Sequence, residues 1–220
     1  MLDGIGTDGP RAGHVVLLSG SLSPTSRTDR IAAWCARRCA AGGAVATWFP
    51  GAELNFACYR PAAVRPAPVR RFLDALAAAD GVVLLSPAYH GTLSGLLKNA
   101  LDYVNDLAEA DQPFLDGRPI GCVAIADGEQ GAHSTLATLR TVAHALRGWP
   151  TPYGAALSGE RAALDDAGAP RLGRTAAELE LMLGQVLTGT SRRPRAPRES
   201  RLRLAAGPTG VPTSGAERRR

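Results

Sequence analysis

No apolar stretch in the sequence reaches the roughly 18 to 20 residues that a membrane span requires. The opening segment, MLDGIGTDGPRAG, has neither the basic start nor the apolar run of a secretory signal, and internal repeats are also missing. We therefore expect a cytoplasmic protein. Of the 220 residues, 45% are hydrophobic and 20% are charged, which is the balance of a globular protein with one core.

The cysteines and histidines are few and widely spaced. The four cysteines include no CxxC pair: Cys35 and Cys39 share a predicted helix, whereas Cys58 and Cys122 stand alone. This pattern excludes a regular disulfide framework and favours reduced thiols. The four histidines are scattered, and none stands at ligand spacing from a cysteine pair, so we expect no metal site.

The basic charge is concentrated at the carboxyl end. Residues 191–220 hold nine arginines and two glutamates, whereas the whole chain carries only +5, so the preceding residues are slightly acidic. This segment is too poor in large apolar residues to offset the entropy of ordering. We expect a flexible segment over 1–13, one folded domain over 14–190 and a disordered basic tail over 191–220. We expect the tail to be solvated; binding of RNA, DNA or an acidic partner through its arginines is the alternative.

Apolar runs alternate with helical patterns along the body of the chain. Strands are predicted at 14–19, 44–49, 81–86, 119–126 and 152–157. Helices are predicted from residue 31 onward and at 69–79, 93–107, 132–146 and 175–187. The strands are continuously apolar, which is typical of a parallel sheet covered by helices on both faces. We therefore predict a doubly wound α/β fold with a five-stranded parallel sheet.

The ligand of such a fold binds at the carboxyl edge of the sheet, so the loops after strands one, three and four should build the site. The segment 51–68 contains several prolines and no clear period. We interpret it as a long connection that lies either at a contact between subunits or beside the ligand.

The loop after the first strand, GSLSPTSRT, combines hydroxyl groups, an arginine and a helix amino terminus. These groups favour binding of a phosphate. The loop has neither the Gly-Lys-Ser/Thr of a Walker A motif nor a GxGxxG fingerprint, so a single monophosphate fits best. The candidate ligands are Ser21, Ser26, Arg27 and Thr28, and Ser26 is also placed to cap the helix. The alternative is a loop whose serines only cap.

The loop after the third strand belongs to the segment SPAYHGTLSGLLKNALD, which starts at Ser86. It resembles the motif of the NADPH-dependent FMN reductase family, in which a P-x-Y-x-G turn precedes a helix that begins S/P-G-x-L-K-N-x-L-D. Together with the first loop and the order of strands, the resemblance covers residues 14–158. It implies a flavodoxin-like fold and FMN as the cofactor.

The resemblance also implies that the backbone of the second loop lies along the isoalloxazine ring of FMN. The residues concerned are Pro87, Ala88, Tyr89, His90 and Gly91. Gly91 would permit a close approach or a positive φ. The alternatives are that Tyr89 is a packed aromatic residue and that His90 only faces solvent. We expect Lys98 and Asp102 to form a local pair on one helix, and we assign no catalytic side chain.

The loop after the fourth strand, DGEQGAH, would lie against the other edge of the flavin by the same resemblance. Its candidates are Gly128, Gln130 and Gly131; the alternative is a plain turn with a helix cap. Trp149, further along, is expected to be a packed aromatic residue rather than a ligand cover.

The predicted function is an NAD(P)H:FMN oxidoreductase, in which hydride passes from NADPH or NADH to flavin N5. Supply of reduced flavin to a partner monooxygenase is the expected role. The alternatives are an FMN-containing reductase of quinones or azo compounds, and a flavodoxin-like electron carrier without enzymatic activity. The resemblance further implies a homodimer or homotetramer.

Overall fold

The computed structural model describes residues 13–192. Its strands are β1 His14–Ser19, β2 Val45–Phe49, β3 Gly81–Tyr89, β4 Thr92–Leu93, β5 Pro119–Ala126, β6 Trp149–Pro150 and β7 Ala155–Ser158. Its α-helices are α1 Arg27–Ala41, α2 Ala67–Ala78, α3 Gly95–Asp102, α4 Glu129–Ala145 and α5 Gly173–Arg192. Residues 1–12 of the predicted flexible segment 1–13 and residues 193–220 of the predicted disordered tail 191–220 lie outside the described residues, whereas residues 191 and 192 belong to α5.

The long strands form one parallel sheet in the order β2-β1-β3-β5, and β7 lies beyond β5. β1 occupies the space between β2 and β3, where Val16 lies opposite Thr47 on one side and Val82 on the other. This crossover order requires helices on both faces. The predicted doubly wound α/β fold is therefore confirmed.

The helices divide into two layers. α1 and α5 cover one face of the sheet, while α2, α3 and α4 cover the other. Successive residues of β1 point into different cores: Val16 and Leu18 pack with the three-helix layer, and Val15 and Leu17 with the two-helix layer. All four side chains are fully buried, which explains why the strand is apolar without alternation.

The fifth strand is shorter and more interrupted than the predicted 152–157. Two short pieces, β6 and β7, both pair with β5, and the chain leaves the sheet between them. Pro150 and Pro152 lack the N–H that a strand interior donates, which accounts for the break. Trp149 pairs with Pro119 at the amino end of β5 and is 69% exposed. The expectation of a packed tryptophan is therefore wrong.

Other boundaries also differ from prediction. The third strand extends past residue 86 to Tyr89 and turns back through β4. The helix predicted over 93–107 is an α-helix only as far as Asp102, after which a 3-10 segment, Tyr103–Leu107, completes it.

All four cysteines are free. In the described part of the chain no helix is long and apolar enough to cross a membrane, and no cluster of side chains suits a metal ion.

Candidate functional site

Three helices begin beside the carboxyl ends of β1, β3 and β5. Ser26 caps α1 by accepting a hydrogen bond from the N–H of Asp29 (3.0 Å), and Ser94 caps α3 in the same way through Leu97 (3.2 Å). Gly128 precedes α4 and has no side chain with which to cap it. The first N–H groups of α4 are therefore left for solvent or a ligand.

The first loop is pinned to the start of α3. The N–H of Gly20 donates to the carbonyl of Leu85 (2.9 Å), and the Ser94 hydroxyl donates to the carbonyl of Gly20 (2.6 Å). A Cβ atom on Gly20 would lie 2.7 Å from both Leu97 Cβ and Ser94 Oγ. Since that spacing is too short for two heavy atoms in van der Waals contact, the close packing of these loops requires glycine here.

Three of the predicted phosphate ligands, Ser26, Arg27 and Thr28, lie at the start of α1, and Ser21 lies in the loop before it. The helix begins at Arg27, one turn before the predicted residue 31, so Arg27 and Thr28 belong to its first turn. Ser26 is the helix cap, as predicted. Ser21 is buried, and its oxygen accepts a hydrogen bond from the N–H of Ser23 (3.3 Å). Thr28 is also buried, at 2% exposure, whereas Arg27 reaches solvent.

Arg27 reaches across to the third loop. Its Nη2 atom lies 2.6 Å from Oδ1 of Asp127, the first residue after β5. β3 lies between the strands that carry these two loops, so the pair spans the end of the central strand. The cation predicted to bind phosphate is thus held at the middle of the carboxyl edge.

The second loop is a tight hairpin. Ala88 pairs with Leu93 and Tyr89 with Thr92, which leaves His90 and Gly91 as a two-residue turn with φ of 51° and 82°. Two successive positive φ values identify a type I′ turn, the connection that suits the twist of antiparallel strands. Gly91 was predicted to permit a close approach or a positive φ, and the structure has the positive φ.

The hairpin presents its tip to solvent. Tyr89 is 52% exposed, so the alternative of a packed aromatic residue is wrong, and His90 is exposed as well. Pro87 and Ala88 are half-buried, and Pro87 lies opposite Ile125 of β5. The structure therefore places these four residues and Gly91 together along one edge, with residues 89–91 exposed.

The third loop is shorter than predicted, because α4 begins at Glu129 rather than at residue 132. Gln130 and Gly131 therefore lie in the first helical turn, and Gly128 immediately precedes it. A Cβ atom on Gly131 would lie 3.6 Å from the Cβ atoms of Ala88 and Ala126, in ordinary contact. Gly131 thus brings α4 close to the base of the hairpin.

Four polar residues beside these loops were not among the predicted site residues: Ser86, Ser94, Asp127 and Ser134. Ser86 Oγ accepts a hydrogen bond from the N–H of Ser94 (2.9 Å), and Ser134 Oγ donates to the carbonyl of Gly91 (2.7 Å). A serine immediately before α3 is a recognisable cap signal that could have identified Ser94. Nothing in the sequence distinguishes Ser134 from other helical serines.

Lys98 and Asp102 form the predicted local pair, with 2.6 Å between Nζ and Oδ1.

Comparison with known proteins decides the family. The sequence pattern of the family described as NADPH-dependent FMN reductase matches residues 14–162, well over half of the chain. The chain belongs to this family. The family predicted from the two loops is thus confirmed, and its description names the flavin and one of the two nicotinamide cofactors that were predicted.

Two curated relatives are similar in sequence to this chain over short stretches. One, an NADPH azoreductase of Bacillus sp. (strain OY1-2), is 38% identical over 31% of this chain. Another, an FMN-dependent NADPH-azoreductase of Staphylococcus haemolyticus, is 33% identical over 38% of this chain. The chain spans only 35% and 41% of the length of these two relatives in the matched regions.

Solved structures support the fold. FerB from Paracoccus denitrificans, a flavoenzyme NAD(P)H:(acceptor) oxidoreductase, matches with a TM-score of 0.67 at 20% sequence identity. The match covers 81% of this chain and 97% of the FerB chain. A flavodoxin from Pseudomonas aeruginosa has a TM-score of 0.52 at 17% identity and covers 80% of this chain and 97% of its own. The predicted flavodoxin-like fold is confirmed.

Proposed function

We propose that this protein is an NAD(P)H:FMN oxidoreductase whose FMN site is the carboxyl edge of the sheet. The observation that carries the proposal is the position of Arg27 and the amino terminus of α1 on the same edge as the exposed hairpin from Tyr89 to Gly91. A mononucleotide has one phosphate and one flat ring, and these two features offer one binding surface for each.

The amino terminus of α1 would hold the phosphate. Backbone N–H groups and the helix dipole favour an anion there, and Arg27 adds a full positive charge beside them. Ser26 contributes its capping hydroxyl, and Ser21 and Thr28 support the loop from buried positions. The donor chemistry of the first loop therefore fits a phosphate monoester.

The hairpin and the start of α4 would hold the ring. The tip of the hairpin, residues 89–91, is exposed, and Tyr89 offers an aromatic side chain beside it. The uncapped N–H groups at the start of α4, near Gly128, Gln130 and Gly131, would favour negative charge at the polar edge of the ring. FMN, when bound, supplies the acceptor for the hydride of NADPH or NADH.

The protein's own contribution is binding and orientation. The Ser134 hydroxyl donates to the carbonyl of Gly91 at the tip of the second loop, and the N–H of Ser94 donates to Oγ of Ser86 at its base. These hydrogen bonds hold the loop in place before a ligand arrives. No side chain is required to transfer a proton, and the exposed tip leaves room for a second flat ring to approach.

The acceptor of the electrons defines two versions of the proposal. In one, reduced FMN leaves and supplies a partner monooxygenase. In the other, FMN stays bound and an azo compound or a quinone is reduced; the azoreductase names of the two curated relatives favour this second version. Retention of FMN by the protein through desalting supports the second version, and its loss supports the first.

A homodimer or homotetramer is part of the proposal. The connection between β2 and α2 borders a groove of about 1160 Å³, lined mainly by apolar residues and opening to solvent. Val64, on its rim, is 94% exposed. An apolar surface of this kind is typical of a contact between subunits. Light scattering tests the proposed oligomer by measuring the molar mass of the purified protein in solution.

Loss of nicotinamide absorbance tests the enzymatic proposal. NADPH and NADH are each mixed with the protein, first alone and then with FMN, an azo dye or a quinone. Oxidation that depends on FMN supports an NAD(P)H:FMN oxidoreductase, and the faster nicotinamide gives the preference. A folded protein that oxidises neither NADPH nor NADH with any of these acceptors contradicts the proposal. The remaining function would then be that of a flavodoxin-like electron carrier without enzymatic activity.

A further inference from the structure

We infer that Ser134 is a positioning residue, which holds the hairpin at the distance from α4 that FMN binding requires. The inference rests on the proposed FMN site. Ser134 lies in the second turn of α4, and its hydroxyl donates to the carbonyl of Gly91, 43 residues earlier in the chain. It therefore joins the second and third loops of the site.

The Ser134 hydroxyl has one proton and two acceptors within reach. The carbonyl of Gly91 lies at 2.7 Å, whereas that of Gly131, on its own helix, lies at 3.3 Å. The shorter distance identifies Gly91 as the main acceptor. Other hydroxyls of α4 behave differently: Thr138 and Thr141 donate to carbonyls four residues earlier in the same helix.

The hairpin needs such a contact because its own pairing is short. β4 contains only two residues, and a two-stranded ribbon of this size has little stability by itself. α4 packs against the hairpin at its base, where Gly131 and Ala132 lie beside Ala88, and Ser134 adds a hydrogen bond to Gly91 at its tip. Loss of this hydrogen bond would weaken the attachment of the tip to the helix.

Both surfaces that would face the ring are joined through this hydrogen bond. One is the backbone of the hairpin, and the other is the uncapped start of α4. A ligand that contacts both surfaces binds best when they are fixed relative to each other before it arrives. Since Ser134 lies outside the buried core, its loss should affect binding of FMN more than folding.

Three variants test the role of Ser134. Ser134→Ala removes the hydroxyl, and Ser134→Thr keeps it. Thr141→Ala is the matched control, because it removes a hydroxyl that binds only its own helix on the same element. For each, the dissociation constant of FMN, the visible circular dichroism of bound FMN, and the thermal midpoint are measured.

We expect Ser134→Ala to weaken FMN binding by about three- to tenfold, the equivalent of one hydrogen bond, and to change the visible circular dichroism. Ser134→Thr and Thr141→Ala should match the parent protein, and all midpoints should agree within about 3 °C. A Ser134→Ala variant that binds FMN like the parent and leaves its spectrum unchanged overturns this inference alone. A parent protein that binds no FMN overturns the proposed function and this inference together.

Discussion

Arg27 and Asp127 lie 100 residues apart in the sequence, yet they form an ion pair, 2.6 Å from Nη2 to Oδ1, at the centre of the proposed site. The Asp127 side chain is almost fully exposed, so the pair contributes little to folding stability. Its effect is on the ligand: a phosphate that binds Arg27 must compete with the Asp127 carboxylate.

Charge changes at these two positions should act in opposite directions. Arg27→Ala removes the cation and should weaken FMN binding by about tenfold or more. Asp127→Asn removes the competitor and should strengthen binding by about two- to fivefold at low ionic strength, with a smaller effect in high salt. Titration of each variant with FMN measures both effects.

Riboflavin provides the control, because it carries the same ring without a phosphate. Its affinity should be unchanged in both variants. If Arg27→Ala weakens the binding of riboflavin as much as the binding of FMN, Arg27 does not bind the phosphate. The same conclusion follows if Asp127→Asn weakens the binding of FMN.

Gly91→Ala should destabilise the hairpin. The φ of Gly91 is 82°, and an L-residue in the left-handed region costs about 1 to 2 kcal/mol. Chemical denaturation should show a loss of this size. Gly184→Ala is the matched control: Gly184 lies inside α5, and no atom lies within 4 Å of the position that its Cβ atom would take, so alanine should raise stability by up to about 1 kcal/mol. Equal effects of the two substitutions would show that backbone strain at Gly91 is not the cause.

His90→Asn should leave turnover nearly unchanged. His90 has a φ of 51°, which asparagine also tolerates, so the turn is kept while the imidazole is lost. Because we assign no proton transfer to this side chain, kcat for nicotinamide oxidation should stay within about twofold. A fall in kcat of about a hundredfold, with FMN affinity retained, would instead identify His90 as a general acid.

The stability of the fold should fall in acid partly through Glu178. Burial by itself would raise the pKa of Glu178, but hydrogen bonds donated by Arg161 and Arg174 outweigh it and lower the pKa below its usual 4.5. A lowered pKa stabilises the fold at pH values above 4.5, and this contribution is lost as the pH falls through the lowered value.

Glu178→Gln should therefore reduce the free energy of unfolding at neutral pH by about 1 kcal/mol. The difference from the parent protein should shrink as the pH falls from neutral through 4.5 and below. Denaturant titrations of both proteins at several pH values measure this difference in the free energy of unfolding. A constant difference across this range would mean that the carboxylate does not titrate differently in the folded protein.

The sequence was most informative where a single physical pattern determines a structure. The apolar runs at 14–19 and 119–126 coincide with β1 and β5, because strands buried on both faces are apolar throughout their interior. Ser26 and Gly91 were also predicted, since a cap and a positive φ each favour few residue types.

The interactions between loops could not be predicted in this way. Ser134 and Asp127 act on residues 43 and 100 positions away, and no local pattern distinguishes them from an ordinary helical serine or a turn aspartate. The early starts of α1 and α4 were missed because their first turns are polar, and apolar periodicity reveals only the buried part of a helix.

Titration of the folded protein with FMN, followed by flavin fluorescence, tests the central claim most directly. We predict saturation at one FMN per chain, and weaker binding of riboflavin, because riboflavin lacks the phosphate that the start of α1 and Arg27 would bind. A folded protein that binds no FMN, or that binds riboflavin as tightly as FMN, would contradict this claim.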